Sequence, residues 1–505
     1  MYNSNSLRSR TSEILSRLAP YMGEEEYNNK LLDIYQGSLL GYVEEELAKE
    51  IKDPDAFRIA AQRIPPINFC KRIVDKLAKT YIDGCERETT DSRDEELLEY
   101  YEYKLKADVV FARADKLLEL HKYVALEPFW HNNEPKLRII PADRFKVLSD
   151  DPVDPCNPTI FIKYIGSYNA TGDMVDSNGV SLDSGQEVYY QYYIYTAEEF
   201  IIVDVNWQDQ QTFKYTINDN EMNRYGITND INPYGVIPFI YVRRPDIDKL
   251  IPSPDTDMYR MTTLIPRIIA DLNYAAQFNS HSRFVAIDVD PESIKGNPDS
   301  LWTLRSVEGE GKVPSITTLS PTVDIAGVSH LIELEVGLWL QCKGIRPGAS
   351  GKPYDAQAIS GVARMIEELD ATQYRKELID LWTQVEYEFW ALIKHMHNVD
   401  WSSREGGIPS SFTEMFVDEL TVNFPMPQPT LSQEDALKNV KVKMDLGLIS
   451  KKRALSEIYP EWNEAQIEEE LALIGGTTDV AEQTTSTNTQ EDSSGSSGSS
   501  QEEDA

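Results

Sequence analysis

One stretch constrains the fold more than any other: from about Asp355 to Asn398 the chain reads as a single continuous helix. Apolar residues recur along it at helical spacing, among them Ile359, Ala363, Ile366, Leu369, Tyr374, Leu378, Trp382, Tyr387, Trp390 and Ile393. At about 1.5 Å per residue such a helix runs roughly 65 Å, whereas globular helices average about 10–14 residues. It needs a large body to cross, or a kink. The chain supplies that body, since 505 residues correspond to about three domains at roughly 150 residues each.

The rest reads as α+β, predominantly α-helical. Residues 1–125 carry helical patterns: Ile64 to Gly84, with Phe69, Ile73, Leu77 and Tyr81 four apart and Gly84 as the stop, then Glu95–Lys106 and Val109–Lys122. After Pro128 short β-branched and aromatic runs between turn clusters predict a small antiparallel β unit: Leu137–Ile140, Ile160–Ile165, Glu187–Tyr195, Phe200–Val205 and Thr212–Tyr215. A turn at Asn232-Pro233 leads into a strand, and Ser253-Pro254-Asp255 starts a helix that Pro266 should bend. Two strand-like runs follow, Phe284–Val289 and Leu301–Ser306, then a helix from Thr322 to Cys342, a glycine-rich loop, and the long helix. A strand at Glu419–Phe424 and three short helices at about Ser432–Met444, Ser450–Ile458 and Asn463–Ile474 close the folded part. From Thr477 to Ala505 there is no Lys or Arg, and the Ser, Thr, Gly and acidic composition reads as a disordered tail.

The charge limits the partners. With 49 Lys+Arg against 84 Asp+Glu the formal charge is −35, so the average field repels a polyanion and any nucleic-acid contact must be local and basic. No apolar run approaches the ~18 residues of a membrane span, and the first residues lack the apolar core of a secretory signal; the expectation is a soluble intracellular-type chain. Cys70, Cys85, Cys156 and Cys342 form no CxxC pair and read as reduced thiols. His395 and His397 point away from each other on a helix, which disfavours a shared metal. Asp288, Asp290 and Glu292 lack the glycine and terminal glutamate of a calcium loop.

The loop Lys343–Tyr354 (KGIRPGASGKPY) departs from a phosphate-binding loop, because Arg346 stands five before Gly351 and Pro353 follows Lys352. It does carry Lys343, Arg346 and Lys352 with no acid, and Gly344, Gly348 and Gly351 free its backbone. From the residues alone it reads either as a solvated connector or as a mobile basic finger aimed at a polyanion.

The order of these parts resembles the portal proteins of tailed bacteriophages, the head-to-tail connectors. The segments that carry the resemblance are Ile73-Val74-Asp75 with Tyr81-Ile82-Asp83-Gly84, Asn232-Pro233 with Ile237-Pro238, Ser360-Gly361-Val362-Ala363, and Leu446-Gly447-Leu448-Ile449-Ser450 with Ala454 and Tyr459-Pro460. The resemblance covers roughly residues 40–475. It implies a wing over 1–252, stem helices over 253–281 and 322–342, and a clip over 282–321. A tunnel loop over 343–354, a long wing helix over 355–398 and a wing strand and connector over 399–429 follow, then crown helices over 430–475 and the acidic tail over 476–505. It also implies a homo-oligomeric ring, twelve-fold in the family, at the unique capsid vertex of the virion, assembled in the host cytoplasm. Double-stranded DNA would pass through it in packaging and ejection, with Lys343, Arg346 and Lys352 facing the duplex. The implied partners are the terminase large subunit, head-completion or adaptor proteins, and the major capsid and scaffolding proteins. No catalytic residue, metal or cofactor is implied. The competing readings are another structural ring or adaptor of a tail or capsid, and an enzyme such as a nucleotide hydrolase.

Overall fold

A computed structural model describes residues 6–21, 24–90, 92–169, 174–175, 187–208, 212–227, 229–280, 283–287, 315–319, 325–343, 361–404, 420–425, 433–447, 449–459, 462, 466–468 and 470–473. The chain divides into two compact units, Met1–Pro427 and Gln428–Ala505. Among the described residues it is α+β and mostly helical.

The first unit opens with α1 (Leu7–Leu18), α2 (Glu24–Gln36), α3 (Leu39–Glu50), α4 (Pro54–Ala61) and α5 (Phe69–Leu77). Local chemistry sets the starts. Asp53 caps α4 by accepting the Ala56 N–H, with Pro54 in the first position, and Asn68 caps α5 by accepting the Lys71 N–H at 2.9 Å. The helix expected to run to Gly84 ends instead at Leu77. The Thr80 N–H donates to Asp115 Oδ2 at 3.0 Å, which draws the chain out of helical geometry at Ala78. Tyr81 still reaches the core from a turn, and Gly84 closes that turn at φ +76°. A short β1 (Glu86–Glu88) precedes α6 (Ser92–Leu105) and α7 (Ala107–His121).

The β region comprises β2 (Tyr123–His131), β3 (Glu134–Ile140), β4 (Phe145–Leu148), β5 (Ile160–Asn169), β6 (Met174–Val175), β7 (Val188–Tyr195), β8 (Phe200–Trp207) and β9 (Phe213–Ile217), then α8 (Asp219–Arg224) and β10 (Ile240–Arg243). Two antiparallel sheets result. One runs β10-β2-β3; the other runs β4-β5-β7-β8-β9 with β6 beside β5. The strands β2 and β4 were not legible in the sequence. Between the sheets Phe161 stacks on Phe239 at 4.0 Å and on Phe145 at 5.1 Å.

The first unit continues with α9 (Thr256–Ser280), β11 (Arg283–Ile287), β12 (Ser315–Leu319), α10 (Ile325–Cys342), α11 (Gly361–Val399) and β13 (Thr421–Asn423). Pro266 lies inside α9. The strand paired with β11 is Ser315–Leu319, and the run Leu301–Ser306 lies outside the described residues, as does the tail from Thr477. With 39 residues, α11 is about 58 Å long. Its buried side, with Leu378, Trp382, Phe389, Trp390 and Met396, forms the spine of the largest core together with α2, α3, α5–α7, β2, β10 and parts of α9 and α10. A second core joins α1 to the six-stranded sheet. The second unit contains α12 (Gln433–Asp445), ended by Gly447 at φ +69°, and α13 (Lys451–Ile458), capped by Ser450.

Candidate functional site

The pair α9–α10 is rooted at one end and exposed at the other. Met258 and Tyr259 near the start of α9 are buried, whereas Asp271, Asn273 and Tyr274 further along are exposed. The gradient reverses in α10: Ala326, Gly327 and His330 are exposed, and Trp339 and Leu340 are buried, with Trp339 edge-on to Phe69 at 6.3 Å. The two helices therefore run antiparallel, joined distally through the paired strands β11 and β12.

The root is a three-helix junction around one carboxylate. Asp255 Oδ1 accepts the Met258 N–H at 3.0 Å, so Asp255 caps α9, two residues later than the cap expected at Ser253. Asp255 Oδ2 accepts the Lys343 ammonium from the end of α10, and Lys122, the C-cap of α7, stands at 3.5 Å. The charges match the helix dipoles: a carboxylate at the N-terminus of α9 and ammoniums at the C-termini of α7 and α10. Burial pushes the Asp255 carboxyl up, but Lys122, Lys343 and the Met258 N–H together outweigh it and hold it below the usual carboxylate range. Next to Lys122, the fully buried His121 is pushed down to about 3, by burial first and then by Lys146 and Lys122, and stays neutral. Two lysines face one carboxylate, a local positive excess in a chain at −35.

Among the residues singled out in the sequence, Lys343 thus sits at this junction, 18% exposed and paired to Asp255. Arg346, Lys352, Gly344, Gly348 and Gly351 lie outside the described residues, as do Asp288, Asp290 and Glu292. His395 Nε2 meets the Tyr234 carbonyl at 2.6 Å and His397 Nδ1 meets the Tyr101 hydroxyl at 2.9 Å, so each ring has a separate local partner. Among the described residues no group of three His, Cys, Asp or Glu is placed to hold a metal. All four thiols are free, and burial pushes Cys70 up to about 12. No described helix is long and apolar enough to cross a membrane.

Two features were missed in the sequence. Along α10, Leu331 (53%), Leu334 (51%) and Leu338 (54%) are exposed at helical spacing on one face. Glu333 and Glu335 fall on opposite sides of this helix and leave no single polar face, so periodicity alone does not separate a buried side from an exposed one. Separately, a cavity of about 630 Å3 opens between α11, β10 and residues 154–158, with Phe161, Phe239, Arg243 and Glu388 among its lining residues. No protein-family model matches this sequence, and no curated protein matches it.

Proposed function

We propose that the chain is the subunit of a portal-type ring: a homo-oligomer that surrounds a channel for double-stranded DNA at a capsid vertex. The observation that carries this reading is the exposed leucine face of α10 on a helical pair rooted at Asp255 and Lys343. Three half-exposed leucines on one helix are the raw material of an interface, and removal of the exposed half of each from water contributes about 1–2 kcal/mol. A side-to-side contact between α10 of one copy and another face of the next is heterologous, and such contacts close into rings when the rotation between copies closes. The order of parts described above adds the roles: α9 and α10 as stem, β11–β12 within the clip, α11 as the long wing helix, α12 and α13 in the crown.

Charge supplies the mechanism. A channel that passes a genome must not grip it, because each neutralised phosphate adds salt-sensitive affinity. At −35 per copy the walls repel the duplex and keep it centred, and a few loop cations give brief, sequence-blind contact. Lys343 has a structural duty at Asp255 as well, so Arg346→Ala/Lys352→Ala is the clean test and the triple variant with Lys343→Ala its extension. In a packaging reaction with cognate heads and terminase, the pair is expected to lower the DNA retained per head several-fold with ring formation intact. Wild-type packaging and retention by the triple variant would remove the loop from the mechanism. In the same reading the clip docks the terminase large subunit and then the head-completion proteins.

A further inference from the structure

The first helix behaves as a ligand of the β region rather than as part of the helical body. Its apolar side, Leu7, Ile14, Leu15 and Leu18, is at most 1% exposed. Among the described residues, the core that receives it takes its other members only from 148–227, and none from α2–α7 or α9–α11. The polar contacts follow the same rule. Arg8 pairs with Asp230 at 2.6 Å and with Asp219, while Arg10 and Arg17 both reach Asp150, at 2.8 and 2.6 Å. The Leu7 N–H donates to Glu199, and Arg17 donates to the Ser149 carbonyl at 2.7 Å. Charge complements shape. Residues 1–21 carry three arginines against one glutamate, and residues 145–230 carry four Lys+Arg against fourteen Asp+Glu.

We infer that α1 is an exchanged arm, docked on the β region of a neighbouring copy of this chain in the assembly. The inference rests on the ring reading given above. Only the single turn Ala19–Tyr21 and two further residues separate α1 from α2, and short hinges of this kind favour exchange of a terminal element between copies. Exchange keeps every contact of the docked helix, so its cost is confined to the hinge. It also answers an electrostatic difficulty: copies at −35 repel one another, and a basic arm crossing each boundary onto an acidic sheet converts part of that repulsion into attraction. Such pairing is screened by salt, so the arm loosens as ionic strength rises.

Charge reversal separates exchange from self-docking. One full-length chain carries Arg8→Asp/Arg10→Asp/Arg17→Asp, a second carries Asp150→Arg/Asp219→Arg/Asp230→Arg, and a third carries all six. Each of the first two mismatches its own arm and sheet, whereas arms and sheets match when the two chains alternate. Hydrogen exchange of the Leu7–Leu18 amides reports docking, and particle mass reports the ring. The expected result is that the first two chains exchange these amides about tenfold faster than wild type, and that co-expression restores both protection and mass. Protection in the six-fold variant without rescue in the mixture would overturn the arm exchange and leave the ring intact. Wild-type chains that remain single subunits would instead overturn the ring, and the exchange with it. If the reversed chains do not fold, Arg10→Cys/Asp150→Cys in a Cys156→Ser/Cys342→Ser background, treated with a short bis-maleimide, decides the matter. Exchange gives covalent multimers, and intrachain linkage alone contradicts it.

Discussion

Arg87→Ala is expected to cost about 3–5 kcal/mol of stability. The guanidinium is 2% exposed and pairs with Glu386 at 2.7 Å and with Glu102 and Asp108 at 2.9 Å each. Glu386 is fully buried and also accepts the Tyr81 hydroxyl and the Trp390 indole N–H, both at 2.8 Å. This hub fastens α11 to the turn after α5, to β1, and to α6 and α7. Without Arg87 the buried carboxylate keeps only two neutral donors, with two further acids nearby. Arg87→Met/Glu386→Leu, which removes both charges, should recover much of the loss. Denaturant unfolding followed by tryptophan fluorescence checks both statements. A loss under about 1 kcal/mol for Arg87→Ala would show that the hub is not what holds α11 in place.

The second large effect concerns assembly. Leu331→Glu/Leu334→Glu/Leu338→Glu replaces an exposed apolar face by three carboxylates on every copy. In the single subunit about half of each of these side chains already stands in water, so the fold and its circular dichroism should change little. In the proposed ring each substitution removes about 1–2 kcal/mol of further burial and adds like-charge repulsion. Light scattering should report single subunits, against the large mass that the proposed ring gives the wild type. An oligomer of wild-type mass from the triple variant would move the interface away from α10.

What the sequence made legible follows from where its patterns were strong. The runs Ile160–Ile165, Glu187–Tyr195 and Phe200–Val205 correspond to the central strands β5, β7 and β8, where β-branched and aromatic residues cluster between turn residues. The strand β2 was hidden because it pairs on both sides and its first six residues, Tyr123 to Pro128, are all buried, so no alternation marks it. At four residues, β4 is too short to carry a period. The helix around Ile73 was read too long because apolar spacing continues through Tyr81, while the side chain that ends it, Asp115, comes 35 residues later than Thr80. The site shows the same limit. Lys343 was visible as a cation in an acidic chain, but its partner Asp255 lies 88 positions earlier, a distance no local pattern spans.

The proposed ring sets many copies of an acidic chain around an opening wide enough for a duplex. Negative-stain microscopy of the purified full-length protein tests it most directly. Top views of closed rings with a stain-filled centre are expected; a homogeneous field of single compact particles, at concentrations where assembly would be complete, would rule the ring out.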